Sequence, residues 1–160
     1  LTHAGEDLGL KLFGARALNS LRLDKSFGSW SREYRPIYTP WEARLDRFVN
    51  LQKRDFIGRA AAQEAHYGAP ERLLTTFIVD ADGADVIGDE PIWRGGMVVG
   101  WVTSGGYAHW SKKSVALGYV SVKASGGIEG SYEIEIIGER RKATVQTEPL
   151  YDPKGEKMRS

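Results

Sequence analysis

The sequence predicts an α+β chain, with a helical first part and a small all-β second part. Three observations carry this. Residues 1 to about 70 hold two stretches of helical spacing, whereas residues 71 to about 149 hold six short apolar or β-branched runs at roughly ten-residue intervals. "SYEIEIIG" alternates strictly, with Tyr132, Ile134 and Ile136 set against Glu133 and Glu135. Gly95-Gly96 separates "PIW" from "MVVGWVTS", and paired glycines supply the positive φ of a tight hairpin turn. Strands this short and evenly spaced form an antiparallel barrel or a sandwich.

In chain order, "LTHAGEDLGLKLFG" opens on Leu1 and lacks the basic start and apolar stretch of a signal peptide. It reads as the end of a helix already under way, so part of a longer gene product is expected, with functional residues upstream. "GARALNSLRL" places Ala17, Leu18 and Leu21 at helical spacing. Between the helices, Pro36 and Pro40 interrupt any long helix, while "TPWEARL" can start one turn, with Thr39 as N-cap, Pro40 at N1 and Glu42 at N3. "DFIGRAAAQEAHYG" gives a second helix, with Asp55 as N-cap and Gly68 as stop. Pro70 marks the boundary to the strands "RLLTTFIVD", "PIW", "MVVGWVTS", "SVALGYVSV", "SYEIEIIG" and "ERRKATVQT". Gly105-Gly106 reads as a further glycine turn, and the polar "YDPKGEKMRS" as a loosely held tail.

Composition excludes several functions. The chain has 160 residues, enough for one ordinary domain or two small ones, and about two-thirds of its extended surface can be buried on folding. Hydrophobic residues make up 41% and charged residues 27%, and no run reaches the ~18 apolar residues of a membrane span, so a soluble chain with no membrane partner is expected. A net charge of +1 with interspersed acids and bases gives no field for nucleic acid. Without cysteine there is no disulfide, thiol nucleophile or Cys-ligated metal, which fits a reducing, cytoplasmic setting.

The side chains that carry chemistry are few. His3, His66 and His109 lack metal-ligand spacing and read as solvated or capping residues. Ser104 lacks a nucleophile elbow, and "GWVTSGG" lacks the helix start or lysine of a phosphate loop. The segment between the helices is richer. It interleaves Trp30, Tyr34, Tyr38 and Trp41 with Arg32, Arg35, Glu42, Arg44 and Arg47. Flat faces with paired charges suit a flat, polar heteroaromatic ligand with a carboxylate tail, or the aromatics wedge the two parts together.

"FGARALNSLRLDKSFGSW", "YTPWEARLDRFVNLQKRDFIGRAA", "GDEPIWRGGMVVGWVTSGGYAHWSKKSVALGYV" and "EPLYDP" resemble, in this order, the C-terminal folate-binding portion of dimethylglycine and sarcosine dehydrogenases. More distantly they resemble the aminomethyltransferase (T-protein) of the glycine cleavage system. The resemblance implies that residues 1–70 end a folate-binding aminomethyltransferase domain, that 71–149 form its C-terminal barrel, and that 150–160 form a tail. In such enzymes an FAD domain, expected N-terminal to this chain, oxidises an N-methyl group, and tetrahydrofolate captures the one-carbon unit as 5,10-methylenetetrahydrofolate. The family's essential aspartate and the glutamate of its "GE-x-G" segment belong before Leu1, so no catalytic residue is assigned here and the chain alone is not expected to turn over.

By the resemblance, Arg47 stands where the family commonly places a Trp or Tyr against folate, and a guanidinium plane can stack in its place. Leu18 stands where T-proteins carry a ligand-contacting arginine. The dehydrogenase branch is apolar there, which favours that branch, and Arg16 does not inherit the role. Trp41 and Glu42 flank the site segment, with capping the stronger reading for Glu42. The implied partners are folate and the N-terminal domains or a partner subunit. A T-protein-like aminomethyltransferase and a non-catalytic cover or subunit-interaction module are the alternatives. Dimethylglycine, sarcosine, glycine betaine derivatives and aminomethyl-lipoyl protein are the methyl donors such a family offers.

Overall fold

In a computed structural model, which describes residues 1–159, six antiparallel strands close into a barrel in the order β1-β4-β3-β2-β5-β6. They are β1 (Arg72–Val79), β2 (Pro91–Arg94), β3 (Met97–Ala108), β4 (Lys113–Ser121), β5 (Ser131–Ile136) and β6 (Glu139–Gln146). The barrel, not the sandwich, is the outcome, because β1 pairs with β4 on one side and with β6 on the other. As the alternation predicts, Tyr132, Ile134 and Ile136 point into the interior with Phe77, Ile92 and Val102. Gly95 and Gly96 turn between β2 and β3 at φ of +56° and +80°, the left-handed pair of a type I′ hairpin.

β4 is buried on both faces, which explains why "SVALGYV" runs apolar without alternating. Ala116 and Val120 join the barrel interior, whereas Val115, Leu117 and Tyr119 face outward beneath α1 (Ala15–Asp24). α1 lies on the barrel through Leu23, fully buried, with polar neighbours on the same stripe. Its Asn19 amide donates to Gly105 O, Ser20 Oγ accepts from His109 N, and Asp24 Oδ1 accepts from Ser111 N. Burying Leu23 contributes about 2 kcal/mol. Leu18 and Leu21, which the helical spacing singles out, lie on the other face and are exposed.

Four local expectations are corrected. Gly105-Gly106 is not a turn but part of β3, which continues to Ala108 past a bulge at Thr103. Glycine is needed at 105 because a Cβ there would stand 2.8 Å from both Val86 Cβ and Val86 O, where the 84–87 loop crosses the strand. The second helix, α2 (Arg59–Tyr67), starts four residues after Asp55 and is entered through Gly58 in a left-handed conformation, while Gly68 ends it as expected. The opening residues form a 3-10 turn at His3–Gly5 in place of a helix end. The C-terminal tail is pinned, not loose: Tyr151 N donates to Asp24 O at 2.9 Å, and Lys25 Nζ pairs with Asp152 Oδ2 at 3.3 Å. A short α3 (Val122–Ser125), capped by Ser121 Oγ, follows β4. No helix among the described residues is long and apolar enough to cross a membrane.

Candidate functional site

The aromatic segment between α1 and α2 divides between the two roles its residues allow. Tyr38 stacks on Tyr119 and Tyr34 packs on the same outer cluster, so these rings wedge the segment to the barrel. The Tyr119 hydroxyl donates to Glu33 O at 2.7 Å, and burial, with nearby Tyr38 and the Glu42 and Glu33 carboxylates, holds its pKa above the ordinary phenol value. Trp30 remains 79% exposed.

Thr39, Pro40 and Glu42 form the turn their order predicts. Glu42 Oε2 accepts from Thr39 N at 3.0 Å, and Glu42 N donates back to Thr39 Oγ1 at 3.2 Å, a reciprocal capping box that closes one turn without extending into a helix. The chain then runs beside β1. There β6 reaches only Thr76, and the segment satisfies the uncovered edge: Leu74 N donates to Glu42 O and Arg44 Nε donates to Leu74 O, both at 2.8 Å. Glu42 is buried, with Oε1 at 3.5 Å from Arg72 Nε, so its carboxylate is engaged by cap and ion pair.

Where β6 falls short, a cleft of about 800 Å³ opens between this segment, the edge of β1, the end of β6 and the tail. Five bases, Lys25, Arg44, Arg47, Lys154 and Arg159, and one acid, Glu129, line it. Arg47 lies over the Phe48 ring, 4.8 Å from its centroid, and Phe27, Tyr34 and Met158 add apolar wall. Such a cleft attracts an anion that carries a flat or apolar body. Asp152 stands behind Lys25. Partial burial pushes its carboxyl up, but the backbone N–H of Lys157 and the Lys25 ammonium outweigh this and hold it below the ordinary carboxylate value.

Of the four residues singled out from sequence, Arg47 alone lines the cleft. Trp41 is half-buried against His66, with ring centroids 5.3 Å apart, and Leu18 is 53% exposed on α1. Sequence reasoning missed Lys25, Lys154 and Arg159. A signal for the last two was present, since "KGEKMR" holds three bases in six residues, but their position depends on where the tail is anchored.

One family model, described as the glycine cleavage T-protein C-terminal barrel domain, matches residues 72–152, and a second, the GCVT N-terminal domain, matches residues 1–53. The chain is 40% identical over 148 residues to the mitochondrial dimethylglycine dehydrogenase of Mus musculus, covering 92% of this chain and 17% of that protein. It is 33% identical to the aminomethyltransferase of Koribacter versatilis, covering 94% of this chain and 40% of that one. The crystal structure of glycine cleavage system aminomethyltransferase T from Bartonella henselae superposes with a TM-score of 0.78 at 26% identity, over 89% of this chain and 40% of that one. The chain thus spans under half the length of the relatives it matches. With the barrel model matched over half of its residues and the closed six-stranded barrel to accompany it, the chain belongs to the glycine cleavage T-protein family.

Proposed function

We propose that this chain supplies one wall of a tetrahydrofolate site in a one-carbon enzyme of the dimethylglycine and sarcosine dehydrogenase kind. Residues 1–70 are read as the end of the folate-binding domain and 71–149 as its barrel, with flavin chemistry assigned to an FAD domain elsewhere in the whole protein. The observation that supports the reading is the cleft containing Arg47. A folate carries a flat pterin, an aminobenzoyl ring and two carboxylates, and the cleft offers aromatic walls with an excess of guanidinium and ammonium groups. In this reading the chain's residues bind and orient folate, and no catalytic residue is assigned to them. Trp41 and Glu42 act at most through the segment's shape, and Leu18, exposed on α1, stands outside the cleft.

Titration of 5-formyltetrahydrofolate, a stable tetrahydrofolate, into the full chain tests the reading. Saturable binding weakened about fivefold or more by Arg47→Ala supports it, on the scale of one charge-assisted contact. Equal affinities remove Arg47 from the site, and absence of binding removes the folate reading for this chain.

A further inference from the structure

The cleft gathers positive charge that the chain as a whole does not have. Net charge is +1, yet five bases and one acid meet around this single opening. Two of the bases, Lys154 and Arg159, lie beyond residue 152, where the match to the barrel family ends. They stand on a fixed turn. Leu150 packs on the buried cluster under α1, Asp152 is held by Lys25, Gly155 N donates to Asp152 O at 2.9 Å, and Arg159 Nη2 donates to Lys154 O at 2.6 Å. The tail therefore presents its bases at the cleft instead of sweeping them through solvent. Lys25 is already paired with the Asp152 carboxylate, which leaves the charge facing the opening to Arg44, Arg47, Lys154 and Arg159.

We propose that this cleft binds the carboxylate-bearing end of a part-aromatic ligand, and that the C-terminal tail, through Lys154 and Arg159, is a specificity element of that site. The inference rests on the tetrahydrofolate reading, under which the ligand's end is the p-aminobenzoyl-glutamate half of folate. The aminobenzoyl ring lies against Phe27 and Phe48, and the two carboxylates meet the guanidinium and ammonium groups, while the uncharged pterin lies outside the cleft. Ion pairing at a partly open surface is screened, so affinity falls as salt rises.

The test titrates four probes into the full chain: 5-formyltetrahydrofolate, p-aminobenzoyl-L-glutamate, 6-hydroxymethylpterin and citrate. The probes are repeated on Lys154→Glu/Arg159→Glu, on the milder Lys154→Gln/Arg159→Gln, and on Lys11→Glu/Arg16→Glu, which changes net charge equally at exposed residues outside the cleft. Far-ultraviolet circular dichroism and thermal midpoints confirm that each variant folds. The expected result is that p-aminobenzoyl-L-glutamate binds and the pterin does not. The glutamate pair should weaken binding about tenfold or more, the glutamine pair by less, and the control pair should leave it unchanged. If 5-formyltetrahydrofolate binds but the tail variants do not weaken it, or the pterin binds as well as the aminobenzoyl half, the inference is overturned and the folate reading stands. If neither folate probe binds while citrate binds and loses affinity in the tail variants, the anion site stands and the folate reading falls. If no probe binds, both fall.

Discussion

Tyr38 lies flat on Tyr119, with ring centroids 3.7 Å apart and planes inclined by 19°. This contact joins the segment after α1 to the outer face of β4, and the same Tyr119 hydroxyl holds Glu33 O. Offset stacking adds about 1 kcal/mol to the apolar area the rings bury. Tyr38→Ala is expected to cost about 2–3 kcal/mol in denaturant unfolding, because the truncation leaves a void over Tyr119 that the segment cannot fill without releasing its other anchors. Tyr38→Phe should be nearly neutral. Equal losses for the two variants would show that the hydroxyl, not the stack, fastens the segment.

The hairpin between β5 and β6 turns at Ile137-Gly138, and Ile137 sits at φ +50° while 90% exposed. A β-branched residue in the left-handed region is strained, and here its side chain recovers nothing by burial. Ile137→Asn, and Ile137→Gly to a lesser degree, should therefore raise stability by about 1 kcal/mol, since Asn tolerates this conformation and Gly loses more entropy on folding. A rise in thermal midpoint with an unchanged spectrum is the expected result. A fall would mean that Ile137 is packed in solution.

The tail anchor makes a pH-dependent prediction. Asp152 has its folded pKa below the ordinary carboxylate value of 3.8, so its contribution is present above that pH and is lost as pH falls through the folded value. At pH 7, Asp152→Asn should loosen the tail, read as faster exchange of the Tyr151 amide hydrogen that donates to Asp24 O. As pH falls below 3.8 and through the lowered folded value, the wild-type carboxyl is protonated and the difference between the proteins should narrow. A difference that persists unchanged at low pH would show that Lys25 and the backbone do not act through the charge.

The barrel was legible in the sequence because its signals are local. Strict alternation marks β5, and Gly95-Gly96 marks a turn whose positive-φ backbone glycine adopts without strain. Gly105-Gly106 carries the same local signal for a different reason, the close crossing of the 84–87 loop, and a Gly-Gly pair does not distinguish the two. The tail was illegible because Lys25 and Asp152 are 127 residues apart, and no local pattern links them. The aromatic segment was half legible. Its residue types allowed wedge or ligand site, and the register of Tyr38 on Tyr119 decides for the wedge at that ring, while Arg47 turns to the cleft.

Glu33 is the least legible of the residues that matter, a single acid in a loop that is fully buried in the fold. Its Oε2 accepts from Ser29 N at 2.6 Å and lies 3.6 Å from Arg22 Nη1, and its Oε1 accepts from Ser104 Oγ on β3. A buried carboxylate with these partners joins the loop, α1 and the barrel, and removing a partner exposes the cost of burying the charge. Ser104→Ala should cost about 1–3 kcal/mol, because Oε1 then lacks a donor and water has no ready access. Glu33→Ala should cost more, about 3–5 kcal/mol, since it removes the acceptor of both the Ser104 hydroxyl and Ser29 N and takes the paired carboxylate from Arg22. In the double variant Ser104→Ala/Glu33→Gln the buried charge and the hydroxyl that served it are both gone. Its loss should then fall below the sum of the losses for Ser104→Ala and Glu33→Gln taken singly, measured as a double-mutant cycle in urea. Simple additivity would mean that Ser104 and Glu33 do not act as a pair.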